Sequence, residues 1–180
     1  VMGFCLFNNV AIGARYARRK YGIERIAIVD WDVHHGNGTQ QIFYEDKSVL
    51  YISLHQFPYY PGTGSAGERG AGPGEGFTLN CPMGAGSVEK DYLDAFQTHV
   101  HPALHSFRPE LLFISAGFDA HKDDPLAGIH LTDDSYAKMT DLLLDITRDC
   151  CEGRVVSVLE GGYNLQALAR SATAHLNAML

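Results

Sequence analysis

Short apolar runs alternate along this chain with stretches whose apolar residues recur at helical spacing. Asn8 to Tyr21 reads as a helix that Gly22 stops. Arg25 to Trp31, rich in Ile and Val, reads as a buried strand, and Thr39 to Tyr44 as a short helix. Val49 to Leu54 is predicted as a second strand and Phe77 to Cys81 as a third. Between them His55 to Gly76 is irregular, with seven glycines and three prolines, a length more typical of a functional loop than of a plain connection. Val88 to Phe107 then reads as one long helix, Leu111 to Ser115 as a strand, and Thr132 to Cys150 as a helix capped by Thr132 or Asp133. Val155 to Leu159 and Asn164 to Leu180 complete the pattern as strand and helix, with no internal repeat and no low-complexity linker.

Continuously apolar strands separated by helices imply a parallel sheet covered on both faces, so a three-layer α/β/α domain with a mainly parallel sheet is expected. In such sheets ligands bind beyond the carboxyl ends of the strands. Polar residues collect there: Asp30, Asp32 and His34 after one strand, Ser53 and His55 after the next. Gly117-Phe118-Asp119 and Glu160-Gly161-Gly162-Tyr163 follow two more. Four strand ends delivering polar groups to one edge make a site.

Composition narrows what the site serves. A 46% hydrophobic fraction over 180 residues supports a substantial core in one domain. Lys plus Arg is 14 and Asp plus Glu 21, a net charge of −7 that argues against a nucleic-acid surface. The basic cluster Arg15, Arg18, Arg19 and Lys20 ends a helix, where it complements the dipole. No apolar run is long enough to span a membrane and no signal peptide opens the chain. Four cysteines without CxxC spacing read as reduced thiols, so a cytoplasmic or nuclear, non-secreted protein is expected. The immediate apolar start at Val1-Met2-Gly3-Phe4 suggests the C-terminal portion of something longer.

Asp30-x-Asp32-x-His34 alternates with Trp31 and Val33, so the three polar groups share a face if extended geometry persists. Two carboxylates and an imidazole together would cost several kcal/mol of desolvation unless a cation neutralises them. Asp119 can supply a further oxygen. Carboxylate and imidazole without thiolate, leaving an open position, is the donor pattern of catalytic zinc. An ion-paired core cluster is the alternative. Tyr163, after two glycines, could present a phenol that stabilises an oxyanion, or simply shape a turn. His101 and His105, with Pro102 between them, read as an exposed helix face, and His55 as a pocket-lining residue. His121 and Asp123-Asp124 before Pro125 read as turn chemistry.

Five motifs then occur in order: Gly3-Phe4-Cys5-Leu6-Phe7-Asn8-Asn9, Asp30-Trp31-Asp32-Val33-His34-His35-Gly36-Asn37-Gly38, Pro61-Gly62-Thr63-Gly64, Ser115-Ala116-Gly117-Phe118-Asp119 and Leu159-Glu160-Gly161-Gly162-Tyr163. Together they strongly resemble the zinc-dependent histone deacetylase superfamily, with its bacterial deacetylase-like and acetylpolyamine amidohydrolases, and the wording is closest to the class II branch. The resemblance runs from the first residue to the last and implies an arginase/deacetylase-like fold, with residues 1–180 the C-terminal portion of one catalytic domain. It implies Asp32, His34 and Asp119 as ligands of one catalytic zinc, and Tyr163 as the group holding the oxyanion. Phe4 and Tyr60 would grip the acetyl-lysine stem, with Gly3, Leu126, Gly161 and Gly162 also lining the substrate site. Asp30, Asp32, His34, Ser53 and Leu54 would hold a structural potassium ion. A second monovalent site would use the carbonyls of Phe43, Asp46, Val49 and Phe77.

The general base of the resembled family is a His-His pair shortly before Gly-Phe-Cys, and none of the nine histidines here replaces it. Asp30 would orient one of those imidazoles, and Asn37 stands where many relatives have an Asp for the other. The expected activity is removal of acetyl or other acyl groups from lysine side chains of peptides or proteins. A small acylated amine such as an acetylpolyamine is the alternative substrate, and acyl-lysine binding without turnover the alternative function. Asp30-x-Asp32 at a strand end also suits a magnesium phosphatase with an aspartyl nucleophile and Asp119 as a further ligand. That reading needs a phosphate-anchoring Lys after a later strand, and no suitable Lys ends one. No nucleic-acid or membrane partner is expected, and a homo-oligomer is compatible with the sequence.

Overall fold

The computed structural model describes residues 2–180. Five strands form a single parallel sheet: β1 (Ile26–Asp30), β2 (Val49–Gln56), β3 (Thr78–Met83), β4 (Leu111–Ala116) and β5 (Val155–Leu159), in the order β3-β2-β1-β4-β5. The helices are α1 (Asn9–Tyr21), α2 (Asn37–Phe43), α3 (Glu89–Ala95), α4 (His101–Phe107), α5 (Asp133–Cys151) and α6 (Leu165–Met179).

Alternation along β1 sends its side chains to two cores. Ile26 and Ile28 join Val49, Tyr51, Leu111 and Phe113 beneath Val10, Ala11, Ala14 and Ala17 of α1. Ala27 and Val29 join Ile52, Leu112 and Ile114 against Tyr92, Phe96, Val100 and Leu104, with Tyr136, Met139 and Leu143 of α5. All five residues of β1 are buried, as expected for a central strand covered on both faces. The expected three-layer α/β/α architecture is therefore present, here with an all-parallel sheet.

Helix ends follow their local chemistry. Asn8 accepts the Ala11 N–H at 2.8 Å to start α1, and Gly22 ends it at φ 69°. Of the two expected caps of α5, Thr132 is the one used, and its N–H donates to the Ser135 hydroxyl at 3.1 Å. Asn164 accepts the Gln166 and Ala167 N–H groups to start α6.

Two elements differ from the sequence expectation. The helix expected over Val88–Phe107 is broken by a π-helical segment, Phe96–Val100. Pro102 has no N–H to give the carbonyl four residues earlier, so the ladder widens in the preceding turn. There the Thr98 hydroxyl donates to the Asp94 carbonyl at 2.7 Å. The third strand is shifted to Thr78–Met83 and takes in Pro82, which is tolerated because β3 is an edge strand. Among the described residues no helix is long and apolar enough to cross a membrane.

Strand order places the site. From β1 the chain moves outward through β2 and β3, returns by α3 and α4 to β4 on the other side of β1, and continues to β5. The loops leaving β1 and β4 therefore diverge and open a crevice between them. Burial makes the same centre the stability core. Ile114→Ala, at a fully buried position of β4, should cost about 2–5 kcal/mol. Val156→Ala, on the 41% exposed face of β5, should cost under about 1 kcal/mol. Denaturant midpoints of the two variants measure the contrast, and equal losses would contradict this placement of the core.

Candidate metal centre

β1 ends at Asp30, one residue before the alternation expected from the sequence would carry Asp32 and His34 onward. The extended geometry does not persist, because the Asp30 carboxylate accepts the Asp32 N–H at 3.1 Å and turns the chain. Asp30 therefore does not join Asp32 and His34 as a third donor. Its other oxygen accepts the Tyr51 hydroxyl at 2.9 Å. Burial, with Asp32 and Glu160 nearby, raises the Asp30 carboxyl well above its usual range.

The turn brings Asp32 and His34 to Asp119, which follows β4. Ligand atoms of these three residues all lie within 4.8 Å of one another, the one such cluster of three or more among the described residues. His34 Nδ1 is 3.1 Å from Asp32 Oδ1 and 3.1 Å from Asp119 Oδ2, so one imidazole nitrogen faces both carboxylates. Main-chain donors hold the cluster. Val33 N–H donates to Asp119 at 2.8 Å, His34 N–H to Asp32 at 2.8 Å, and Gly161 N–H to Asp32 at 2.8 Å.

Two glycines are required by this packing. A Cβ at Gly161 would lie 2.2 Å from Asp119 Oδ2 and 2.6 Å from Asp32 Oδ2. A Cβ at Gly117 would lie 2.5 Å from Asp32 Oδ2. Gly161, expected from the resemblance at the substrate site, thus sits directly against the carboxylates. Gly117 was not singled out from the sequence, although its place in Gly-Phe-Asp was the available signal.

Proximity sets the charge states. Burial, then Asp32, raises the Asp119 carboxyl to about 7. Burial alone would lower His34, but its hydrogen bonds to Asp119 and Asp32 outweigh that and raise it to about 10. A proton on His34 would thus serve the two carboxylates as a counter-charge at neutral pH. A divalent cation would serve the same role with two carboxylate oxygens and one imidazole nitrogen, a donor set suited to zinc with open positions.

Aromatic side chains surround the cluster. Tyr163 lies edge-on to His34 with ring centroids 6.4 Å apart, and Phe4 lies 6.2 Å from Tyr163. Burial, then Asp119 and Asp32, raises the Tyr163 phenol to about 12, so it stays a proton donor at neutral pH. Tyr60 approaches His34 edge-on at 6.1 Å. Tyr59, which sequence reasoning passed over in favour of its neighbour, stacks on His34 at 5.7 Å and 26° and donates its hydroxyl to the Leu126 carbonyl. Phe4 and Tyr60 are 89% and 53% exposed and Leu126 is 42% exposed, so all three offer surface to a ligand. Gly3 precedes Phe4, both at positive φ, and Gly162 precedes Tyr163.

The remaining expectations resolve unevenly. His55 does not line a pocket: it is fully buried, with its ring nitrogens 2.9 Å from the Ser53 hydroxyl and 2.9 Å from the Gly64 carbonyl. Of the residues expected at a potassium site, Asp30 is paired in register with Ser53, with Leu54 next along β2, whereas Asp32 and His34 lie in the turn beyond β1. In the expected second site, Phe43, Asp46 and Phe77 carbonyls accept from Asp46, Val49 and Tyr51 N–H groups. His101 and His105 are exposed and stacked 6.3 Å apart, away from the cluster.

Comparison with known proteins agrees with this geometry. Residues 1–179 match the model of the histone deacetylase domain. Histone deacetylase 15 of Arabidopsis thaliana is 49% identical over 99% of this chain and 32% of its own length. The chloroplastic histone deacetylase 10 of Oryza sativa subsp. japonica is 44% identical over 99% of this chain and 40% of its own. A crystal structure of the HDA15 HD domain superposes with a TM-score of 0.94 at 48% identity, covering 100% of this chain and 51% of that one. The chain thus spans about half or less of the proteins it matches. With the five motifs, the parallel sheet and the Asp-His-Asp cluster all in agreement, this chain belongs to the histone deacetylase domain family.

Proposed function

We propose that the protein carrying this chain hydrolyses the amide of acetylated lysine side chains, with one zinc ion held by Asp32, His34 and Asp119. The convergence of those three donors beside the Tyr163 phenol is the observation that carries the reading. Bound there, zinc would supply polarisation of the acyl carbonyl and a lowered pKa for the attacking water. Tyr163 donates its phenolic hydrogen to the carbonyl oxygen as negative charge develops on it. Phe4 and Tyr60 receive the apolar lysine stem between aromatic faces, which suits four methylenes. Asp30, Ser53 and Leu54, with main-chain oxygens of Asp32 and His34, are proposed to hold a potassium ion that stiffens the same loop.

Proton transfer needs a base that the described residues do not contain. Besides His34, the buried histidines 35, 55, 121 and 175 are all engaged in hydrogen bonds or ion pairs within the fold. The resemblance assigns that step to a His-His pair preceding Gly3, with Asp30 orienting one imidazole. For the chain by itself, this favours a second reading, acyl-lysine binding without turnover.

Substrate class follows from the loop after Asp119. Asp124 accepts main-chain N–H groups with both oxygens, and Asp123 pairs with Arg170 at 3.3 Å. Asp124 is thus committed to main-chain donors, Asp123 is drawn toward Arg170, and the residue after the proline is the apolar Leu126. A peptide-borne acetyl-lysine is therefore preferred over an acetylpolyamine.

Two measurements test the reading on the native protein that carries this sequence. Tyr163→Phe should lower kcat by about 10²–10³ with little change in KM, because the phenol acts where charge develops. Turnover near that of the unsubstituted protein would remove Tyr163 from the chemistry. Acetyl-lysine peptides should exceed acetylspermidine in kcat/KM. A tenfold preference for the polyamine, about 1.4 kcal/mol in the transition state, would overturn the substrate assignment.

A further inference from the structure

We propose that Asp124 is the positioning residue for Tyr163, tying the loop that delivers Asp119 to the turn that delivers the phenol. This rests on the reading of Tyr163 as the oxyanion donor. Asp124 lies five residues after Asp119 and is 8% exposed. A buried carboxylate is costly unless its oxygens are satisfied. Here Oδ1 accepts the Leu126 N–H at 3.0 Å, while Oδ2 accepts the Tyr163 N–H at 2.8 Å and the Asn164 N–H at 3.3 Å.

Its own main chain is fixed as well, since the Asp124 N–H donates to the His121 carbonyl at 2.9 Å. Oδ2 sits at the N-terminus of α6, where the helix dipole favours a negative charge. A second tie runs beside it: Asn164 Nδ2 donates to the Asp123 carbonyl at 2.9 Å while Asn164 Oδ1 caps α6.

The need for a tie comes from what precedes Tyr163. Gly161 must lack a Cβ to admit the carboxylates, and Gly162 adopts φ 147°. Two glycines leave the direction of the following residue weakly determined by sterics. The Asp124 carboxylate supplies what they do not, a fixed anchor on the Tyr163 amide. Because the anchor belongs to the Asp119 loop, the phenol is registered against a metal ligand rather than against α6 alone.

Asp124→Asn keeps the size of the side chain but turns an NH2 toward donors that need an acceptor. In the native protein that carries this sequence it should lower kcat between about 10- and 100-fold, with KM and zinc content little changed. The discriminating step is a double-mutant cycle. In a Tyr163→Phe background, Asp124→Asn should cause little further loss, because the group it positions is gone. A full, additive loss in that background overturns the positioning role while leaving the deacetylase reading intact. Unimpaired turnover in Tyr163→Phe alone overturns both. Amide exchange on the unsubstituted chain checks the tie even where the variant does not fold. The Tyr163 N–H should be protected about 100-fold or more relative to a free loop, and exchange at the unprotected rate overturns the proposal.

Discussion

Two carboxylates and an imidazole held within 4.8 Å of one another at the edge of a parallel sheet are the constraint around which the domain is organised. Like charges in so small and buried a space oppose folding unless a proton or a cation neutralises them. The structure shows the response to that constraint at each surrounding position. Three main-chain N–H groups point at the carboxylates, two glycines remove the Cβ atoms that would collide with them, and hydrogen bonds to both carboxylates raise the pKa of His34. The apolar layers on both faces of the sheet keep these elements from relaxing apart.

The same sheet supports a second buried polar system that stabilises the long loop between β2 and β3. His35 Nδ1 is 2.7 Å from the Thr63 hydroxyl and its Nε2 is 2.9 Å from Gln40 Oε1. Gln40 in turn donates to Glu68 at 2.6 Å, and Glu68 accepts the Gly64 and Ser65 N–H groups. Glu68 thus ties its own loop, which bears Tyr59 and Tyr60, to Gln40 of α2 and through it to His35. Gly64 admits this packing, because a Cβ there would lie 2.4 Å from His55 Nε2 and 2.6 Å from His35. The aromatic side chains beside the cluster are therefore carried by an ordered loop despite its glycine content.

Much of this was legible in the sequence. Continuous apolar runs mark β1, β2 and β4 because a central parallel strand has no polar face, and the polar residues after them follow from where such sheets bind ligands. Asp32, His34 and Asp119 do come together, but through a turn rather than along one face of an extended strand. The alternation expected to carry Asp30 onto the same face fails, since the Asp30 side chain captures the Asp32 N–H and bends the chain. The π-helical segment before Pro102 and the shift of β3 across Pro82 depend on hydrogen-bond registers that periodicity does not encode. His55 and Asp124 illustrate a further gap. Composition shows a polar residue near a strand end, but only the fold shows whether it turns inward to main-chain donors or outward to a ligand.

Zinc titration of the metal-free chain at pH 7, read by calorimetry in buffers of different ionisation enthalpy, tests the central claim most directly. With the His34 pKa raised to about 10 and the Asp119 carboxyl raised to about 7, zinc would compete with protons for the same ligand atoms. The account therefore predicts one zinc per chain, uptake with release of at least about one proton, and affinity that weakens as pH falls. It also predicts that Asp119→Ala loses stoichiometric zinc. Uptake without proton release, or full zinc occupancy in Asp119→Ala, would contradict it.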